Sequence, residues 1–216
     1  MLRPLTFLFA AVTLLFFAAN IHAEDAADKD GFTPLFNGKD LDGWEGDAKL
    51  WLFENGEVVG KSPGIKRNEF LASKKSYRDF VMIFKFKVID NPKGDANSGM
   101  QFRSIRLPNS SEMFGYQADV GQQYWGCLYD ESRRNKVLVK PDAALIAKTI
   151  KLGDWNEYKI TCEGAHIILE LNGVVTVDYT EPEPAEKIAR DGQFGLQIHA
   201  GGPMEVHMKE ARIKIK

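Results

Sequence analysis

Residues 80–89 read FVMIFKFKVI, so that Phe80, Met82, Phe84, Phe86 and Val88 fall on one side and Lys85 and Lys87 on the other. This period of two is the mark of a half-buried strand, because successive side chains along a strand point to opposite faces. Short runs of β-branched and aromatic residues recur from Phe32 onward at intervals of about ten, divided by Gly, Asn, Asp and Pro. Such spacing predicts an all-β sandwich of the concanavalin A-like lectin/glucanase (jelly roll) type, occupying residues 32–216. The sharpest local signal is Asn172-Gly173 between the runs 167–171 and 174–178. Both central positions of a type I′ hairpin turn need positive φ, and Asn-Gly meets that need cheaply. Helix is expected only as two turns each at 142–149 and 184–190, and no internal repeat divides the chain.

The first residues set the compartment. Arg3 precedes a nearly unbroken apolar run at 5–19, and Ile21, His22 and Ala23 lead to acidic Glu24. This is the form of a signal peptide (1–23) cleaved after Ala23, and the run falls short of the roughly 20 residues that span a bilayer. Residues 24–31 carry no pattern and read as a disordered leader. The expected location is periplasmic or extracellular, with no membrane association after cleavage. Removing 1–23 takes away only Arg3 of the 28 basic residues, leaving 27 against 30 acidic, a net charge of about −3. Nothing in that balance recruits nucleic acid. The 193 residues left (216 minus 23) suffice to bury about 70% of the unfolded surface, so a disulfide framework is unnecessary. Cys127 and Cys162 are equally compatible with a bridge and with two buried thiols.

Three further strand segments have an unusual second face. Gln101 and Arg103 oppose Met100 and Phe102; Gln117 and Asp119 oppose Tyr116, Ala118 and Val120; Gln197 and His199 oppose Leu196 and Ile198. If these strands share a sheet, that face is either a solvent face, polar by default, or a ligand face. The last strand shows the solvent default in Lys209, Arg212, Lys214 and Lys216. Gln, Asp and His instead combine compact donors and acceptors suited to hydroxyls, which favours the ligand reading. The adjoining segment 124–134, YWGCLYDESRR, offers Trp125 and Tyr129 as platforms for a sugar ring and Asp130, Glu131 and Arg133 as hydroxyl partners. Trp44, Trp51 and Trp155 are expected to anchor the core. There is no phosphate-binding Gly loop, CxxC pair, HExxH or GxSxG. With His166, His199 and His207 alone in the mature chain, a metal site would lean on Asp and Glu oxygens, which suits a hard divalent cation. No cofactor is otherwise indicated.

At these segments the sequence resembles the bacterial family named for 3-keto-glucoside 1,2-lyase and 3-keto-2-hydroxy-glucal hydratase activity. The likeness runs through FTPLFNGKDLDGW (32–44), NSGMQFRS (97–104), GYQADVG (115–121), YWGCLYDESRR, WNEYKI (155–160) and GLQIHAGGPMEV (195–206). It implies a jelly roll, export, and a 3-keto-glycoside as the partner. A ketone at C3 acidifies the C2 proton, so a base removes it and the C1 aglycone departs by elimination; hydration of the product gives the free 3-keto sugar. The implied roles are Asp119 or His199 as base, Arg103 and Tyr129 as stabilisers, and Glu131 as reserve acid or metal ligand. The family commonly has Glu where this chain has Gln117, and an amide cannot serve as a base. Retaining glucanases of this fold need two carboxyl groups about 5–5.5 Å apart, whereas the comparable strand here keeps Asp119 alone. Ordinary glycoside hydrolysis is therefore disfavoured, and a non-catalytic sugar-binding module remains the alternative.

Overall fold

A computed structural model describes residues 27–184 and 187–216. The expected signal peptide lies outside them. Residues 28–31, the end of the expected leader, form a turn in which the Asp28 carboxylate accepts from the N–H groups of Asp30 and Phe32.

Fifteen strands and one helix follow. They are β1 (Thr33–Pro34), β2 (Trp44–Glu45), β3 (Trp51–Glu54), β4 (Glu57–Ser62), β5 (Glu69–Ser73), β6 (Phe80–Ile89), β7 (Asn97–Arg106) and β8 (Met113–Gly121). Then come β9 (Leu128–Glu131), β10 (Lys136–Val139), α1 (Ala143–Thr149), β11 (Asn156–Glu163), β12 (His166–Leu171), β13 (Val174–Thr180), β14 (Gln193–Ile198) and β15 (Met204–Ile215). One antiparallel sheet runs β13-β12-β11-β6-β15-β4-β3, with β1 added on β15. The other runs β10-β9-β8-β7-β14-β5-β2. The two pack face to face as a β-sandwich of the jelly-roll type.

Alternation explains the core. Phe80, Met82, Phe84, Phe86 and Val88 of β6 turn inward and meet Met100, Phe102, Tyr116, Ala118 and Val120 of the facing sheet in one continuous cluster. Burial of each large apolar side chain stabilises by about 1.5–3 kcal/mol. Asn172 and Gly173 adopt φ of 49° and 79° between β12 and β13, as the hairpin requires. Asp142 caps α1, its side chain accepting from the Leu145 N–H. The second expected helix, 184–190, lies partly outside the described residues; at its described positions the N–H groups of Lys187 and Ile188 both donate to the Pro184 carbonyl, as in a helical turn. Trp44 and Trp51 are buried. Trp155 departs from expectation: it lies half-buried on the outside of its sheet, with Lys209 Nζ 4.0 Å and Lys87 Nζ 4.9 Å from its ring centroid. Cys127 and Cys162 are both buried and unbridged.

Candidate functional site

The three strands singled out by their second face are neighbours, in the order β8-β7-β14. Register places Gln101 opposite Gln117 on one side and Gly195 on the other, and Gln117 opposite Tyr129 of β9. Gln101, Gln117, Asp119 and Gln197 therefore share the outer face with Tyr129 and Glu131, while their neighbours fill the core. Far from being solvated, the first four are at most 4% exposed. Gln117 Nε2 donates to Gln197 Oε1 at 3.2 Å. It can lie flat across β7 because Gly99 has no side chain there: a Cβ at that position would come within 2.6 Å of the Gln117 carboxamide.

Most informative are the atoms left over. Gln101 Oε1, Gln117 Oε1 and Asp119 Oδ1 are buried without a hydrogen-bond partner in the protein. A buried polar atom left unpaired costs about 1–3 kcal/mol, so three on one face point to a site that pairs them with something else.

The acids of this face are perturbed in one direction. Burial, and then the charge of Glu131, push the Asp119 carboxyl well above its usual range, against the pull of Gln117, the Val120 N–H and Asn97. Burial, and then Glu112, raise Glu131 to about 7, with Gln197 and Ser132 acting the other way. Burial likewise raises Glu112, offset by the Met113 N–H, Asn68, His199 and Arg106. Asn68 joins this group at both ends, donating to Glu112 Oε2 at 3.3 Å and accepting from the Ala200 N–H at 2.9 Å. His199 Nδ1 faces the Ala200 carbonyl at 2.7 Å. A carbonyl only accepts, so Nδ1 carries the proton and Nε2 is the end left for chemistry. Tyr129 is raised by burial and by Glu131. The shift favours the neutral, donor form of Asp119, and a Glu131 raised to about 7 can accept or return a proton near neutral pH.

Four expected site residues lie elsewhere. Arg103 sits at a β-bulge, with φ of 48° and a register shift between Phe102 and Ile105. The bulge breaks the alternation. Its guanidinium is instead buried against Arg78 O, Gly164 O and Asp79 Oδ1, each at 2.8 Å. Trp125 is 7% exposed and packs on Phe86 in the core, so it is no sugar platform. Asp130 pairs with Tyr116 in the β8–β9 register and so faces inward, where it accepts from Arg133 Nε at 2.9 Å and also from Arg134. Arg133 follows it beneath the sheet, 4.5 Å from the Tyr116 ring centroid. Conversely, Glu112, Asn68 and Gly99 were not singled out from the sequence. Glu112 and Asn68 each flank a strand, a position with no periodic signal, and the NSG motif shows its glycine without showing what lies across it.

The larger hollows do not coincide with this face. One of about 680 Å³ lies among Glu45, Arg67, Glu69 and Arg106, one of about 460 Å³ among Trp44, Tyr77 and Ile213, and another of about 460 Å³ beside Trp155. Only Arg106 Nε among the unpaired buried atoms belongs to a residue lining any of them, and convergent chemistry outweighs depth in locating the site. Among the described residues no three His, Cys, Asp or Glu side chains come close enough to hold a metal ion.

Comparison with known proteins agrees with this architecture. A candidate glycosyl hydrolase from Parabacteroides distasonis ATCC 8503 is 21% identical, with a TM-score of 0.64 over 87% of this chain and 94% of that one. The carbohydrate-binding module CBM66 from Bacillus subtilis is 18% identical, with a TM-score of 0.61 over 80% of this chain and 95% of that one. At such identities the likeness establishes the shared fold. Among curated proteins none matches this chain. The match to a family is more specific: residues 31–214 fit the 3-keto-alpha-glucoside-1,2-lyase-like domain, and the chain belongs to that family of carbohydrate-related domains.

Proposed function

We propose that this protein cleaves 3-keto-glycosides by elimination across C1 and C2, with or without hydration of the resulting 3-keto-2-hydroxy-glucal. The reading is supported by a buried Asp119, its carboxyl pushed well above the ordinary range, beside a Glu131 raised to about 7, on a face of unpaired buried amides. Glu131 as base takes the C2 proton, and the bonding pair forms the enolate of C2 and C3. Asp119 and the Tyr129 hydroxyl donate to the enolate oxygen, where donors aimed at developing charge are most effective. Collapse restores the C3 carbonyl, creates the C1–C2 double bond and expels the aglycone oxygen, which is protonated as it leaves. Addition of water at C1 with return of a proton to C2 would complete a net hydrolysis. His199, with Nε2 available, is a second proton carrier beside Glu112. The apolar run at 5–19 supports export as the setting.

A second reading rests on the same unpaired amides: a sugar-binding module would need them and would not need the tuned carboxyls. CBM66, a carbohydrate-binding module, has this fold. Incubation with 3-keto-trehalose or a 3-keto aryl glucoside, with and without EDTA, separates the two. Elimination predicts aglycone release that drops by about 10²–10⁴ in Glu131→Gln and Asp119→Asn. Binding without release favours the module. Unchanged turnover in these variants and in His199→Ala would place the chemistry elsewhere.

A further inference from the structure

The unpaired atoms are not evenly divided between donors and acceptors. Gln117 commits its Nε2 to Gln197, and Gln101 commits its Nε2 to the Met113 carbonyl at 3.4 Å, so each amide has its carbonyl end left over. Cross-strand pairing sets Gln101 and Gln117 directly opposite each other on one face. The backbone offers no substitute partner, since β7 and β8 use their own N–H groups in the sheet. Gln101 is 0% and Gln117 1% exposed, so a group that pairs with their carbonyl oxygens must itself donate. An ether or a carbonyl oxygen placed there would leave two acceptors facing a third.

We propose that Gln101 and Gln117 each accept a hydrogen bond from a different hydroxyl of the bound sugar, so that the site selects glycosides in which those hydroxyls are free and rejects deoxy and O-alkyl forms. The proposal rests on the sugar-directed reading above and adds which functional groups are read and by which atoms. It also accounts for Gly99: only a bare backbone leaves room for the Gln117 carboxamide to cross β7 toward Gln197. Sites that pair a substrate hydroxyl with a buried polar group discriminate far more strongly against its absence than apolar pockets discriminate by size.

The test uses the mature protein and a 3-keto aryl glucoside together with its 2-, 4- and 6-deoxy analogues. Two of the three analogues are expected to lose at least about 100-fold in kcat/KM. Replacing Gln101→Met should collapse that ratio to near one for one of them, and Gln117→Met for the other, with melting temperature confirming that each variant is folded. Ratios unchanged in the folded variants overturn the proposal, as does a wild-type protein that handles all analogues within about 3-fold of the parent, which needs no variant to fold. If the wild type releases no aglycone at all, the elimination reading fails. Calorimetric titration with the unoxidised glucoside and its deoxy forms then tests the acceptors on their own. Equal affinities there, or no binding to any, overturn them.

Discussion

Glu131 is where stability and activity oppose each other. Its carboxyl is held at about 7, against an ordinary value of 4.5, by burial first and by Glu112 next. A raised carboxyl favours the folded state in its protonated form. The stability it contributes is therefore complete below about 4.5 and is lost as pH climbs through 7. Glu131→Gln should be indistinguishable from wild type in thermal unfolding at pH 4 and more stable at pH 8. After allowance for its partial exposure, the gain is about 1–2 kcal/mol. Activity should run the other way, rising through pH 7 in the wild type as the base ionises and falling away in the variant. A gap in melting temperature that stays flat from pH 4 to 8 would show that the residue is not perturbed as described. Asp119 is shifted in the same direction by its deeper burial.

The short strand β9 holds Glu131 and Tyr129 in place, and it is tied down from beneath. Asp130 is gripped by Arg133 and Arg134, and Arg134 makes a two-pronged pair with Glu181 at 3.1 and 2.7 Å. The Tyr116 hydroxyl donates to the same Glu181 carboxylate. Burial works against the Glu181 charge, but Arg134 and then Tyr116 draw its carboxyl down to about 2. Because Glu181 follows β13 of the opposite sheet, the network links the two sheets under the candidate site. Buried ion pairs contribute little net stability, but breaking one is costly. Arg134→Met should lose about 3–5 kcal/mol in denaturant unfolding and lower turnover with it, whereas Arg134→Met combined with Glu181→Gln should recover much of the stability. Equal losses in the single and double variants would mean the pair is not coupled. None of this network was legible in the sequence. Alternation correctly put Gln101, Gln117 and Gln197 on one face, because the period of two is local. The positions of Arg103 and Asp130 depend on a bulge and on the β8–β9 register, which are properties of strand pairs.

For the molecule as a whole, the sandwich was legible because its signals are local and repeated: the alternation of β6, the Asn-Gly turn and the regular punctuation by Gly and Pro. What holds the layers together was less so, and the state of the two cysteines is the clearest case. Cys127 lies in the connection between β8 and β9, and Cys162 lies in β11 of the other sheet; both are 0% exposed and free. Burial first, and for Cys127 the Asp119 charge next, raises the thiols to about 11 and about 12. A thiol is nucleophilic only as the thiolate, so both are shielded chemically as well as sterically. The aromatic core stabilises the sheets without a covalent link, as a domain of this size allows. The sequence was equally compatible with a bridge and with two buried thiols, which makes the outcome informative. A thiol reagent should label neither cysteine in the folded protein and both in guanidinium, and melting should be the same with and without reductant. A reductant-dependent fall in melting temperature would mean that the two are bridged and that the sheets pack differently around them.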